Sequence, residues 1–389
     1  MVAQKRIDEA ERIMLDFARD TGLTDSARAP RRYLWTDAHA VCSFLGLHRH
    51  TDDTRYLGLA KRLVDQVHYV LGRHREDDAR DGWISGLDEE HGREHPTIGG
   101  LRIGKKMPER RRDEALDERL EWDRDGQYFH YLTKWMHALY CTSRASGDAR
   151  YCVWAKELAA AAQEAFAVTH GPGGEQRLLW KMSIDLSYPL VPSSGLHDPM
   201  DGYLTCQELG LCDALPAQRL AAPDLRAAIA ATEGMLAGQQ WFTEDALGIG
   251  GLLFDACRAV QLLAVGRLQQ PQLVAKLLDA AQQSLQLFAK RSPLRLEPGH
   301  RLAFRELGLA IGLRGLPVMH DIVQRDHDSF TDNVPSLLDD LRQHVGLGDA
   351  IETFWLVPEN REVATWRDHR DINAVMLATR LVPECFLVL

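Results

Sequence analysis

Apolar residues recur at spacings of three and four over long stretches of this chain, with charged residues filling the intervals. Between residues 5 and 20, Ile7, Ala10, Ile13, Met14 and Phe17 fall on one stripe, the pattern of a helix with one face against a core. Residues 53–73 repeat it with Tyr56, Leu59, Ala60, Leu63, Val67 and Val70. Similar stretches cover about 150–168, 217–239, 269–291 and 333–347. Each keeps a polar face and is expected to show it to solvent.

A second kind of segment alternates with the first. Residues 36–47, 127–141, 200–211, 245–264, 302–314 and 371–381 are poor in charge and rich in small and apolar side chains, with polarity gathered at their starts. Such a helix is apolar nearly all round and belongs inside. The order outer, inner, outer, inner runs through six pairs, and short connections make successive helices antiparallel neighbours. The expected class is all-α: an (α/α)6 toroid of six helical hairpins, in one domain spanning 1–389.

Several inner segments open alike, with Trp35-Thr36-Asp37, Trp241-Phe242-Thr243-Glu244-Asp245 and Trp366-Arg367-Asp368-His369-Arg370-Asp371. Thr36, Asp37, Thr243 and Asp371 suit N-cap or first-turn positions, where an acid meets free amides and the positive end of the helix dipole. Two stretches break the alternation. Residues 74–126 are charged and carry glycines at 82, 86, 92, 99, 100 and 104, so they are expected to form an inserted, lid-like loop over the inner-helix starts. Residues 177–196 alternate and contain prolines, a pattern that fits a small β-hairpin.

This alternation, with Trp35-Thr36-Asp37, Asp198-Pro199-Met200-Asp201-Gly202-Tyr203, Thr243-Glu244-Asp245-Ala246 and Trp366-Arg367-Asp368-His369 at the inner starts, resembles the six-hairpin glycosidase-like superfamily. The resemblance is architectural and covers nearly the whole chain. It implies inverting glycosidases, sugar epimerases and isomerases, or noncatalytic proteins of the same fold. Fold alone does not choose among these.

Inner helices that start at one end gather their polar openings there. Asp37, Asp201 and Asp245 are the candidate acids and bases, because inverting glycoside hydrolysis needs one protonated and one ionised carboxyl group. Trp35, Asp125, Tyr128, His130, Tyr131, Lys134, His197, Asp198, Tyr203, Trp241, Arg305, Glu306, Trp366 and His369 are the candidate sugar-binding groups, since aromatic faces stack on sugar rings and polar side chains hold hydroxyls. Asp37, His130, Asp201, Asp245, Glu306 and His369 are expected to converge on one polar cavity. Any single acid among them is more simply explained as a cap or an ion-pair partner. The densest signal is Trp122-Asp-Arg-Asp-Gly-Gln-Tyr-Phe-His-Tyr-Leu-Thr-Lys-Trp135. There Gln127, His130, Tyr131 and Lys134 would share one helical face. They either wall a pocket or form a satisfied network. Histidines at inner starts, His197, His300 and His369, offer proton shuttling to an epimerase.

Three short matches carry less. His91-Gly-Arg-Glu-His95 has the H-x-x-E-H spacing of a zinc peptidase, but Gly92 and Pro96 argue for a loop that could not aim its ligands. Asp77-Asp-Ala-Arg-Asp81 reads as a solvated charge run. Gly99-Gly-Leu-Arg-Ile-Gly-Lys-Lys106 lacks the strand and helix of a phosphate loop.

Composition narrows the partners. The 389 residues carry a formal charge of −10, which opposes nucleic acid and anionic membranes. The start Met1-Val-Ala-Gln-Lys-Arg-Ile-Asp-Glu-Ala shows no signal-peptide core, and no apolar run is expected to span a bilayer. The cysteines, 42, 141, 152, 206, 212, 257 and 385, are odd in number and lack a C-x-x-C pair. That favours buried free thiols in a cytoplasmic protein over disulfides or zinc. No cofactor and no metal are expected, and the partner is a small carbohydrate. The leading function is an inverting glycoside hydrolase. A histidine-based sugar epimerase or isomerase and a noncatalytic binding protein are the alternatives.

Overall fold

The computed structural model describes residues 2–25, 27–170, 174–214, 221–291 and 293–389. In chain order the helices are α1 (Val2–Asp20), α2 (Leu34–Thr51), α3 (Thr54–Leu71), α4 (Glu89–Glu94), α5 (Glu118–Glu121), α6 (Phe129–Ser146), α7 (Arg150–Phe166), α8 (Asp198–Leu209) and α9 (Arg226–Gly234). They continue with α10 (Ala246–Ala264), α11 (Pro271–Arg291), α12 (Ala303–Arg325), α13 (Val334–Arg342), α14 (Val345–Leu356), α15 (Ala364–Arg367), α16 (Arg370–Leu381) and α17 (Glu384–Leu387). Short strands are β1 (Gln127–Tyr128), β2 (Ala167–His170), β3 (Glu175–Leu178), β4 (Lys181–Met182) and β5 (Pro189–Val191). The chain divides into two compact units, the first comprising 18–48 and 53–238, the second 1–17, 49–52 and 239–389.

All six expected inner helices form, as α2, α6, α8, α10, α12 and α16. Their lack of a polar face has the expected consequence. Every residue of α2 from Leu34 to Leu47 is buried, whereas α3 buries one stripe, Tyr56, Leu59, Ala60, Leu63, Val64, Val67, His68 and Leu71. The outer segments are less regular. The expected helix over 217–239 is reduced to α9, with 217–220 outside the described residues, and 333–347 belongs to two helices, α13 and α14, with His344 between them.

In the second unit α10 and α12 meet backbone to backbone. A Cβ on Gly250 would lie 2.2 Å from the Gly308 carbonyl oxygen, and one on Gly312 would lie 2.5 Å from that of Gly250. The glycines bring the two axes close and give these apolar helices a large shared interface. α10 corrects one expectation. Its 19 residues are long and apolar enough to cross a membrane, yet they are mostly buried within the protein, as the core helix of a globular unit would be.

In the first unit, β4 and β5 form the hairpin expected within 177–196, and β1 pairs antiparallel with β4. A second hairpin, β2 with β3, continues from the end of α7. Residues 74–126 contain α4 and α5 and pack as a fixed part of the unit: Trp83, Leu101 and Ile103 are buried. The Ile103 carbonyl accepts from the Leu34 amide at 3.0 Å, and the Ile103 amide donates to the Gly126 carbonyl at 2.8 Å. This segment therefore lies against the start of α2 and leads through Gly126 into β1 and α6. Gly104, at φ +92°, is required there, because a Cβ would sit 2.2 Å from the Arg32 carbonyl oxygen.

The cysteines correct another expectation. Cys152 and Cys212 form a disulfide. Sixty residues separate them in sequence, and only the folding of the first unit brings the start of α7 to the turn after α8. Cys42, Cys141, Cys206 and Cys257 are buried and outside any disulfide, as expected, and Cys385 is outside one but half-buried.

Candidate functional site

The start of α2 and the start of α6 carry a continuous cluster of aromatic rings in the first unit. Tyr33 and Tyr131 share a 2.7 Å hydrogen bond between their hydroxyls. Tyr131 packs on Trp35 at 5.3 Å and on Tyr128 at 5.1 Å between centroids. His130 stacks on Tyr128 at 5.4 Å, meets Trp35 edge-on at 6.0 Å, and lies parallel to Trp180 at 6.3 Å and 7°. Trp180 continues to Trp122 at 5.0 Å, and Trp122 is 53% exposed. The cluster thus runs from buried rings to an exposed edge.

Local structure explains the assembly. Tyr128 ends β1 and Phe129 begins α6, so the change from strand to helix at this point sets the directions of Tyr128, His130 and Tyr131. The pairing of β1 with β4 places Tyr128 opposite Lys181, and the Phe129 amide donates to the Trp180 carbonyl at 3.3 Å. Trp180 is the ring that sequence reasoning missed. Its only signal was its place at the edge of the expected hairpin, and hairpin pairing with β1 is a long-range event.

Two polar atoms buried in this cluster make no hydrogen bond among the described residues: Trp35 Nε1 and His130 Nδ1. Asp198 Oδ1 stands 4.0 Å from His130 Nδ1, beyond direct hydrogen bonding. Burial among the rings, reinforced by the positive charge of Lys134, lowers His130 to about 4, against the opposing pull of Asp201. The imidazole is therefore neutral near pH 7, and its burial opposes protonation until a counter-charge comes close.

The three candidate catalytic acids are all engaged. Asp37 accepts from the Tyr33 amide at 2.8 Å and pairs with Arg32 at 3.2 Å, with both side chains buried. Asp201 takes Lys134 Nζ on both oxygens, at 2.8 and 2.7 Å, and Thr133 Oγ1 at 2.5 Å. Asp245, in the second unit, caps α10 by accepting from the Gly248 amide at 3.0 Å and pairs with Arg305 at 2.7 Å. Each has the capping or ion-pairing geometry that acids at helix starts adopt.

Other candidates are also fixed by their neighbours. Asp125 is fully buried and accepts from Arg102 at 2.7 Å, Arg75 at 3.4 Å and the amides of Gly104 and Lys105 at 3.0 and 3.2 Å. It secures the 101–107 segment. Gln127 lies in β1, outside the helical face expected for it, and binds Leu101 N, Gly99 O and Ile184 O. Tyr203 is buried, with Gln207 Nε2 at 3.3 Å from its hydroxyl. His197 precedes α8, and its carbonyl accepts from the Asp201 amide at 2.9 Å.

In the second unit, Glu306 is held by both Nε and Nη2 of Arg301 and by Trp355 Nε1 at 2.8 Å. Trp366 is buried and stacks on Trp355 at 5.4 Å. Trp241 is buried. His369 is exposed at the start of α16, edge-on to Phe304 at 5.5 Å. These groups build the unit's interior and helix starts.

The His91 to His95 match corrects differently. It lies in α4 and at its end, so it is helical after all, because Asp88 caps it through the His91 amide at 2.9 Å. The two histidines nevertheless serve separate acids, Asp88 at 2.9 Å and Glu157 at 2.6 Å.

No protein-family model and no curated protein matches the chain. Solved structures do. A GH76 α-mannanase of Bacteroides thetaiotaomicron superposes with a TM-score of 0.54 at 8% identity, covering 99% of this chain and 97% of that one. A sugar epimerase from a ruminal bacterium superposes with a TM-score of 0.49 at 9% identity, covering 89% and 87%. The fold is the six-hairpin (α/α)6 fold. At such identity the likeness fixes the fold and leaves the chemistry to the site.

Proposed function

We propose that this chain is a carbohydrate-active enzyme that binds a small sugar on the aromatic cluster of its first unit and transfers protons through His130. The observation that carries this reading is the pair of buried, unsatisfied polar atoms, Trp35 Nε1 and His130 Nδ1, among stacked rings. Leaving such atoms unpaired costs about 1–3 kcal/mol each, and a sugar hydroxyl supplies the missing partner. Aromatic faces supply the apolar contact that a pyranose ring accepts.

His130 is the acid–base group in this reading, with Asp198 positioned to stabilise the imidazolium once it forms. That assignment favours proton abstraction and return next to a carbonyl, as an epimerase or isomerase performs it. Inverting hydrolysis is the second reading. It is favoured by Asp198 and Asp201, which lie on the first turn of α8 and approach His130 and Lys134 of the same α6 face. Asp37 and Asp245 position helix starts in both readings.

The test begins with calorimetric titration of free sugars and mannosides, since a true ligand also raises the melting temperature by mass action. Trp35→Phe keeps a ring and removes the indole N–H. His130→Gln removes the base. Both are expected to weaken the best ligand at least tenfold while the circular dichroism stays unchanged. Wild-type affinity in both would sink the site. Incubation in deuterated water then separates the chemistries: deuterium entering the sugar marks proton transfer, and reducing ends released without exchange mark hydrolysis.

A further inference from the structure

Deeper along α6, below the aromatic cluster, lies a group that neither reading uses. His137 and Cys141 stand one turn apart on α6, and Cys42 comes from α2. One donor atom from each of the three lies within 4.8 Å of the other two, and all three residues are buried. Among the described residues no other trio of histidine, cysteine or acid meets this condition. We propose that Cys42, His137 and Cys141 form a buried binding site for a thiophilic d10 metal ion, of the Cu(I) or Zn(II) class.

Three observations support it. The spacing is right: His137 Nε2 and Cys141 Sγ are 3.6 Å apart. A metal about 2.3 Å from sulfur and about 2.0–2.1 Å from nitrogen, at an angle between tetrahedral and trigonal, spans about that distance. The histidine is also set for it. Its Nδ1 is bonded to Glu208 Oε1 at 2.6 Å, with both side chains fully buried. This leaves Nε2 on the sulfur side, and a carboxylate behind a ligating imidazole fixes its orientation and raises its basicity. Finally, the donor set is soft. Two thiolates and an imidazole select Cu(I) or Zn(II) over Mg2+ and Ca2+, which take oxygen. Two sulfurs and one nitrogen within a buried interior suit three-coordinate Cu(I) best, because Zn(II) completes its tetrahedron with a fourth donor.

The test uses the full-length chain, purified reduced and without oxygen. One sample is titrated with Cu(I) and one with Zn(II), each against a chromophoric chelator. A further pair is refolded with each ion present, so that a closed interior does not prevent loading. The expected result is one equivalent retained after desalting, thiolate-to-metal charge-transfer absorption in the near ultraviolet, and tighter retention of Cu(I). Cys42→Ser and Cys141→Ser should each weaken retention at least a hundredfold. Cys206→Ser and Cys257→Ser, buried cysteines outside the trio, should leave it unchanged. Zn(II) retained at the trio in preference to Cu(I) would support the site and assign it to the four-coordinate ion.

Two outcomes overturn the proposal without relying on any variant's folding. One is a wild-type chain that retains neither ion after titration or refolding, with its thiols shown to be free. The other is a Cys42–Cys141 disulfide in the isolated protein together with no retained ion after its reduction. Wild-type retention in the Cys42→Ser, Cys141→Ser double variant would overturn it as well.

Discussion

Replacing Asp201 tests whether this acid is a reactive group or half of a buried pair. Its carboxylate takes Lys134 Nζ at 2.7 and 2.8 Å and Thr133 Oγ1 at 2.5 Å, and the Lys134 and Asp201 side chains are 9% and 6% exposed. Asp201→Asn removes the negative charge and keeps the shape. The ammonium then faces an amide oxygen in place of the carboxylate, in a site of low polarisability. Breaking a buried pair from one side costs about 3–5 kcal/mol, and the remaining amide contact puts Asn at the low end. Lys134→Met takes the ammonium away from the buried carboxylate and should cost a similar amount. The double variant buries neither charge, and its cost should fall to within about 1–2 kcal/mol of wild type. The cycle therefore predicts a coupling of roughly 3 kcal/mol or more between two residues in contact. Urea unfolding followed by tryptophan fluorescence measures it, because Trp135 adjoins Lys134 in α6. If Asp201→Asn costs less than about 1 kcal/mol, the pairing argument is refuted. If that mild variant also abolishes turnover, Asp201 belongs in the chemistry and the hydrolase reading gains.

Gly250→Ala should destabilise the second unit: the added Cβ would lie 2.2 Å from the Gly308 carbonyl oxygen. The overpacking cost of about 1–3 kcal/mol exceeds the helix-propensity gain of about 0.8–1.0 kcal/mol, and a raised urea midpoint would contradict the close approach of α10 and α12. Reducing the Cys152–Cys212 bridge, which closes a loop of 60 residues in sequence separation, should cost up to about 4 kcal/mol by loop entropy; Cys152→Ser in the absence of reductant should match it, and no change in either would argue against the bridge. Stability should fall as pH drops below about 6.5. Burial holds His39 and His68 near 3 and His130 near 4, so the unfolded chain binds protons that the folded chain refuses until those lower values. A stability that stays flat from pH 7 to pH 4.5 would show that these histidines are not neutral in the fold.

The period of the hydrophobic pattern determined the helices and their class. A segment such as Ala246–Ala264 has no polar face to offer water, and one such as Thr54–Leu71 has a single apolar stripe, so their burial follows from local sequence. The first-turn acids were also legible: Asp37 and Asp245 bond the backbone amides of helix starts because that is where short acidic side chains find free donors. Their other partners were not legible. Arg305 lies 60 residues from Asp245, and Lys134 lies 67 residues from Asp201, and a carboxylate's chemistry depends on which cation is beside it. Gln127 illustrates the same limit, since pairing of β1 with β4 took it off the helix on which its spacing had placed it. Trp180 joined the aromatic cluster through that strand pairing, Cys152 met Cys212, and Cys42 met His137 and Cys141. In each case the sequence supplied the residue types, whose local preferences act over a few positions. The partners were decided by tertiary packing, because contacts between distant positions leave no period in the chain.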